Sequence, residues 1–83
     1  MTPREIAASI ADERERQHDK WGGHHDWGTG DCSSDGVAPV VKAAVLTEEC
    51  GEVARAVLES DEDGLRRELV QVAAVAIAWL EAL

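Results

Sequence analysis

The segment "VAAVAIAWL", Val72 to Leu80, does most to limit the folds open to this chain. Nine apolar residues in a row are about half of what a membrane span requires, so the segment belongs inside a protein rather than a bilayer. Read as a helix it has no polar side, and such a helix must be covered all round. The chain has 83 residues, a length that buries only roughly 60–65% of its unfolded surface. Two further helices from so short a chain do not cover it. A second copy does, and the sequence therefore predicts a dimer or higher homo-oligomer. Its core is then of four-helix type, built from two helical hairpins plus the first helices.

The rest of the chain supplies those partners. "TPREIAASIADERERQHDKW" begins with Thr2 as N-cap, Pro3 at the first helical position and Glu5 completing a capping box. The first helix is expected over 1–21, with Ile6 and Ile10 on its inner face. Continued at helical spacing, that face reaches Arg14, Gln17 and Trp21. Either the helix runs past the core into solvent, or Arg14 and Gln17 line a polar pocket. "GGHHDWGTGDCSSDG" has five glycines in fifteen residues and no periodicity, so 22–35 is expected to be a loop. Ser34 or Asp35 is expected to cap a second helix that starts near Gly36, tolerates Pro39 in its first turn and spans 36–60. "SDEDG" makes a turn, and the third helix spans 62–83. No strand pattern and no repeat is visible. The expectation is one all-α domain, a helical hairpin plus an N-terminal helix.

Charge narrows the partners. Seventeen acidic residues stand against 8 basic ones, a formal net charge of −9, and such a surface repels the backbone of duplex nucleic acid. No apolar stretch follows a basic N-terminus as in a signal peptide, and Cys32 and Cys50 make no disulfide framework. The expectation is a cytoplasmic protein without a membrane segment. His24, His25, Cys32 and His18 lack the paired spacing of a structural zinc site. "GTGDCSSDG" lacks the Gly-Lys-Ser ending of a phosphate-cradling loop.

The informative anomaly is where acids fall. With about 100° of rotation per residue, Glu49 lies between Val45, Val53 and Ala56 on the inner face of the second helix. Glu68 lies among Leu65, Val72, Val75 and Trp79 on the third. Glu52 stands one turn from Glu49, and Gln71 one turn from Glu68. Two helices joined by a short turn thus direct the patterns ExxE and ExxQ at each other. Burying ionised carboxylates together is costly unless they are protonated, paired with bases or holding a cation. Arg55, Arg66 and Arg67 rotate away from these faces, and Lys42 is the one inward base. Oxygen-rich sites of this kind suit a hard divalent cation such as Mg²⁺, held by a few carboxylates with water and phosphate completing its shell. Glu48 points about 100° from Glu49, either to orient a metal-bound water or act as general base, or simply into solvent.

"EECGE", fifteen residues and then "ELVQ" resemble the EExxE, spacer, ExxD signature of the all-α nucleoside triphosphate pyrophosphatases, the MazG-like superfamily. The likeness extends over Val45 to Leu83, and "RERQHDKWG" resembles the end of the N-terminal helix in small, often phage-encoded members. The resemblance implies hydrolysis between the α and β phosphates of a (deoxy)nucleoside triphosphate or related nucleotide, giving monophosphate and pyrophosphate, with Mg²⁺ as cofactor or Mn²⁺ in its place. It implies Glu49, Glu52 and Glu68 as metal ligands, with Gln71 at the fourth position, where the pattern has Asp. Glu48 and Glu49 become the catalytic acids. Arg14, Gln17, Lys20, Trp21 and Lys42 are the candidate substrate-binding residues, and Trp27 a further stacking surface. Two other readings accompany this one: a module of the same fold that binds nucleotide without turnover, favoured by Gln71, and a purely structural helical dimer.

Overall fold

The structure, a computed structural model, describes all residues 1–83. Three helices carry it: α1 (Pro3–Trp21), α2 (Pro39–Leu58) and α3 (Glu62–Glu81). Between α1 and α2 lie two strands of two residues, β1 (His24–His25) and β2 (Gly28–Thr29), paired antiparallel. The all-α expectation holds, and the loop contains a small ribbon that periodicity was too short to reveal.

Local chemistry explains most helix ends. At α1, Glu5 N–H donates to Thr2 Oγ1 at 3.1 Å and Thr2 N–H to Glu5 Oε1 at 3.3 Å, the reciprocal capping box. At α3, Asp61 accepts from Gly64 N–H at 2.9 Å. α2 starts later than expected, at Pro39, with Ala38 as an N-cap that makes no side-chain bond. Ser34 is engaged elsewhere: its hydroxyl donates to Thr29 O at 2.7 Å and accepts from Gly36 N–H at 3.0 Å. Val37 is likewise drawn into an isolated bridge with Gly28, and Ala38 after it is extended. Ser34 therefore stitches the loop rather than starting the helix, and Asp35 does not cap it either. α3 also ends at Glu81, short of the chain's last two residues.

α2 and α3 form an antiparallel hairpin, and α3 also packs against α1. α1 and α2 make no comparable contact, so they flank α3 and leave a gap between them. Ala74 and Ala78, wholly buried, and Val75 line the central helix where its neighbours meet it. Small residues let the helices approach, but they fill little volume. Only ten residues are buried, none a large side chain enclosed on all sides. The radius of gyration, 13.1 Å, exceeds the roughly 12 Å expected of a compact chain this long. The molecule is open where α1 and α2 part.

Candidate active site

The gap between α1 and α2 is a cleft of about 560 Å³, within the range of small-molecule sites. Glu13, Arg16, Gln17 and Trp21 of α1 form one wall. Val40, Val41, Ala44, Val45, Glu48 and Glu49 of α2 form the other, Gln71 and Val75 of α3 the floor. The loop closes one end with Trp27, Gly30, Asp31, Cys32 and Val37. One end is apolar and aromatic, the other acidic.

Glu49 is the centre of the acidic end. Its carboxyl is pushed above the usual carboxylate range, first by burial and then by Glu68, Glu48, Glu13 and Glu52. Gln71 sits between two of these acids. Turned with its carbonyl oxygen toward them, its amide would face two acceptors; turned with its nitrogen, it donates to Glu49 Oε2 at 2.7 Å and Glu68 Oε2 at 3.0 Å. Glu52 stands aside, its side chain 42% exposed and 4.0 Å from Arg55. Glu13 approaches from α1, its side chain 11% exposed and held by both Arg16 Nε at 2.9 Å and Arg16 Nη2 at 2.6 Å. That fork is a bidentate, charge-assisted pair. Glu49 also raises the pKa of Arg16, after the larger effects of the Glu13 bond and burial.

The aromatic end is built on the ribbon. His25 stacks on Trp27 at 4.6 Å with planes 6° apart, and both lie close to Trp21. His25 Nε2 lies 2.9 Å from Trp21 O, which fastens the ribbon to the end of α1. Gly28 and Gly30 take φ of 138° and 104°, and a Cβ on Gly28 would meet Gly36 O at 2.2 Å. Below them Asp31, 5% exposed, accepts from Ser33 N–H at 2.9 Å and from Arg14 Nη1 at 3.3 Å. Burial pushes the Asp31 carboxyl up, but the Ser33 bonds and the Arg14 guanidinium outweigh it and hold it below its ordinary value. Cys32 beside it is raised by burial and by Asp31, against Lys42 and Arg14, so it stays a thiol.

Of the residues singled out from sequence, Glu48, Glu49, Gln71, Gln17 and Trp21 line the cleft, and Glu68 joins through Gln71. Glu52 is near enough to act on Glu49 but opens toward solvent. Arg14, Lys20 and Lys42 are not among the cleft walls. Arg14 ties three elements together instead, reaching Gln17, Asp31 and Glu81 Oε2, the last at 3.1 Å. Lys20 lies 5.0 Å from the Trp21 ring. Lys42 is 4% exposed and packed inside. Glu13 and Arg16 were not singled out, although their i, i+3 spacing is a pairing signal.

Residues 40–80, which cover the α2–α3 hairpin but for its outermost residues and include Glu48, Glu49, Glu52 and Glu68, match the family model of the MazG nucleotide pyrophosphohydrolase domain. Over this hairpin the chain is MazG-like. No curated protein and no solved structure matches it. The matched MazG-like segment holds one wall and the floor of the cleft; α1 and the ribbon, which complete it, lie outside the match.

No three His, Cys, Asp or Glu side chains already converge as a metal cage. The donor set nevertheless fits a hard cation. It offers carboxylate oxygens alone, and Glu49 is held among four like charges that a divalent ion would relieve. No helix is long and apolar enough to cross a membrane.

Proposed function

We propose that the cleft binds a nucleoside triphosphate and that the chain hydrolyses it between the α and β phosphates. The observation that carries this reading is the clustering of acids around Glu49 at one end of a cleft whose other end presents Trp21 and Trp27. A base has aromatic faces to stack on, and phosphates then lie toward the acids. Glu49, Glu52 and Glu68 would hold Mg²⁺, with Gln71 at the fourth position of the motif. When bound, the ion neutralises phosphate charge and makes water a better nucleophile. Glu48 lines the cleft beside Glu49 and is given the role of accepting the proton of the attacking water. Arg16, rather than Arg14, Lys20 or Lys42, is the guanidinium at the wall and takes the role of phosphate partner.

A pyrophosphate-release screen across nucleoside triphosphates with Mg²⁺ or Mn²⁺ tests the proposal. Release is expected with at least one nucleotide, with loss of about two or more orders of magnitude in Glu49→Gln, because the ion that Glu49 would hold supplies several kcal/mol of charge stabilisation. Equal rates in variant and wild type would remove Glu49 from the mechanism. One observation favours a second reading, capture without turnover: Gln71 is neutral and bonded to two of the acids. Tight nucleotide binding with no pyrophosphate in the same screen selects it.

The proposal includes a second copy of the chain. Leu69, Ile77 and Leu80 of α3, with Val57 and Leu58 of α2, remain exposed in a single copy. Apolar area of this kind is what homodimer interfaces cover.

A further inference from the structure

We propose that Gln71 is a positioning residue that acts through its amide nitrogen, clamping Glu49 of α2 to Glu68 of α3, and that it does not ligate the metal. With its nitrogen toward the acids the amide lies 2.7 Å from Glu49 Oε2 and 3.0 Å from Glu68 Oε2, whereas with its oxygen toward them it would meet acceptors alone. A side chain bonded this way has its nitrogen, not its oxygen, toward the acids, and an amide nitrogen has no lone pair to offer a cation. The clamp answers a physical need. Glu49 and Glu68 repel each other across the hairpin, and Arg16, the base that feels Glu49, is taken up by Glu13. A neutral double donor satisfies both without adding charge. An acid in its place would add a like charge and leave the two oxygens unbonded.

The first half of the proposal, the clamp, concerns the metal-free protein. The second half, that ligation falls to glutamate oxygens alone, rests on the proposed Mg²⁺ site. Nuclear magnetic resonance separates the two. The chain contains two glutamines, Gln17 and Gln71, and no asparagine, so the side-chain amide region of a ¹H–¹⁵N spectrum holds two pairs. Gln71→Met assigns the Gln71 pair by its loss. In EDTA that pair is expected downfield of free glutamine, slow to exchange, and shifted by Glu68→Gln. A pair at free-glutamine positions, insensitive to Glu68→Gln, overturns the clamp.

Mg²⁺ is then titrated in. A pair that stays protected while the Glu49 and Glu68 backbone signals shift supports ligation by glutamates alone; a pair that loses protection shows the amide turning to the ion and overturns that half. Backbone signals that do not move at any Mg²⁺ concentration overturn the metal site itself and leave the clamp standing. Melting adds a check independent of turnover. In EDTA, Gln71→Glu is expected to melt below Gln71→Met, since it adds repulsion to the loss of donors, and Mg²⁺ is expected to close that gap. Equal melting of the two in EDTA counts against the clamp.

Discussion

Glu49 and Asp31 are both acids at the cleft, and their pKa values are displaced in opposite directions. Glu49 is raised, so the folded chain resists its ionisation. Below its unfolded value of 4.5 it affects stability little. As pH rises above that value the unfolded chain ionises first and stability falls, until the folded carboxyl ionises too. Glu49→Gln is therefore expected to melt above wild type in EDTA at neutral pH and level with it at acid pH, even as turnover is lost. Melting curves across pH check this, and a lower neutral melting point would contradict it. Asp31 is depressed, so its contribution is present above 3.8 and lost as pH falls through its folded value. Asp31→Asn leaves Arg14 with Glu81 and Gln17 alone and is expected to cost about 2–3 kcal/mol at neutral pH, as for a hydrogen bond to a charged group. Its acid limb should be flatter than wild type. At this scale the sequence disclosed Glu48, Glu49, Glu68 and Gln71, because helical rotation alone sets the faces of α2 and α3. It did not disclose Glu13 and Arg16. Extending the Ile6–Ile10 face led to Arg14 and Gln17, and which flank of α1 meets the cleft depends on how α1 lies against α3.

The α2–α3 corner decides whether the two acidic faces meet, and one residue in it is strained. Ser60 takes φ of 55°, the left-handed region. Its N–H donates to Val57 O at 3.1 Å and the next, of Asp61, to Ala56 O at 2.9 Å, the bonding of a Schellman end. Glycine is the residue that fits there without a Cβ penalty. Ser60→Gly is expected to stabilise by about 0.5–1 kcal/mol, which for a domain this size is a rise of roughly 2–8 °C in Tm. Gly64 is bound the other way. A Cβ there would meet Asp61 Oδ2 at 2.1 Å, and Gly64→Ala is expected to cost about 1 kcal/mol by dislodging the cap. Thermal melts of both variants check the pair of signs. The three helices were readable from caps and periodicity. The α2 start was misjudged by three residues because Ser34 and Val37 bond backward onto the ribbon, and a two-residue ribbon carries no period to read.

At the scale of the molecule, α3 does what its all-apolar stretch requires only in part. α1 and α2 cover two of its sides, where Ala74, Val75 and Ala78 disappear. The third side keeps Leu80 66% and Leu69 50% exposed. These two positions lie within about 20° of each other around the helix, so they form one stripe rather than scattered contacts. A second chain meeting that stripe must also bring its own charge of −9 close. Hydrophobic attraction and charge repulsion thus oppose each other, and only the second is screened by salt. Association is therefore expected to strengthen as ionic strength rises, with a melting temperature that rises with protein concentration. Leu80→Glu adds charge to the stripe and removes apolar area, and it is expected to give monomers at concentrations where wild type is dimeric. Sedimentation equilibrium at low and high salt reads both effects. Wild type that sediments as a monomer at every salt and protein concentration would mean that the exposed stripe of α3 has no partner in a second copy.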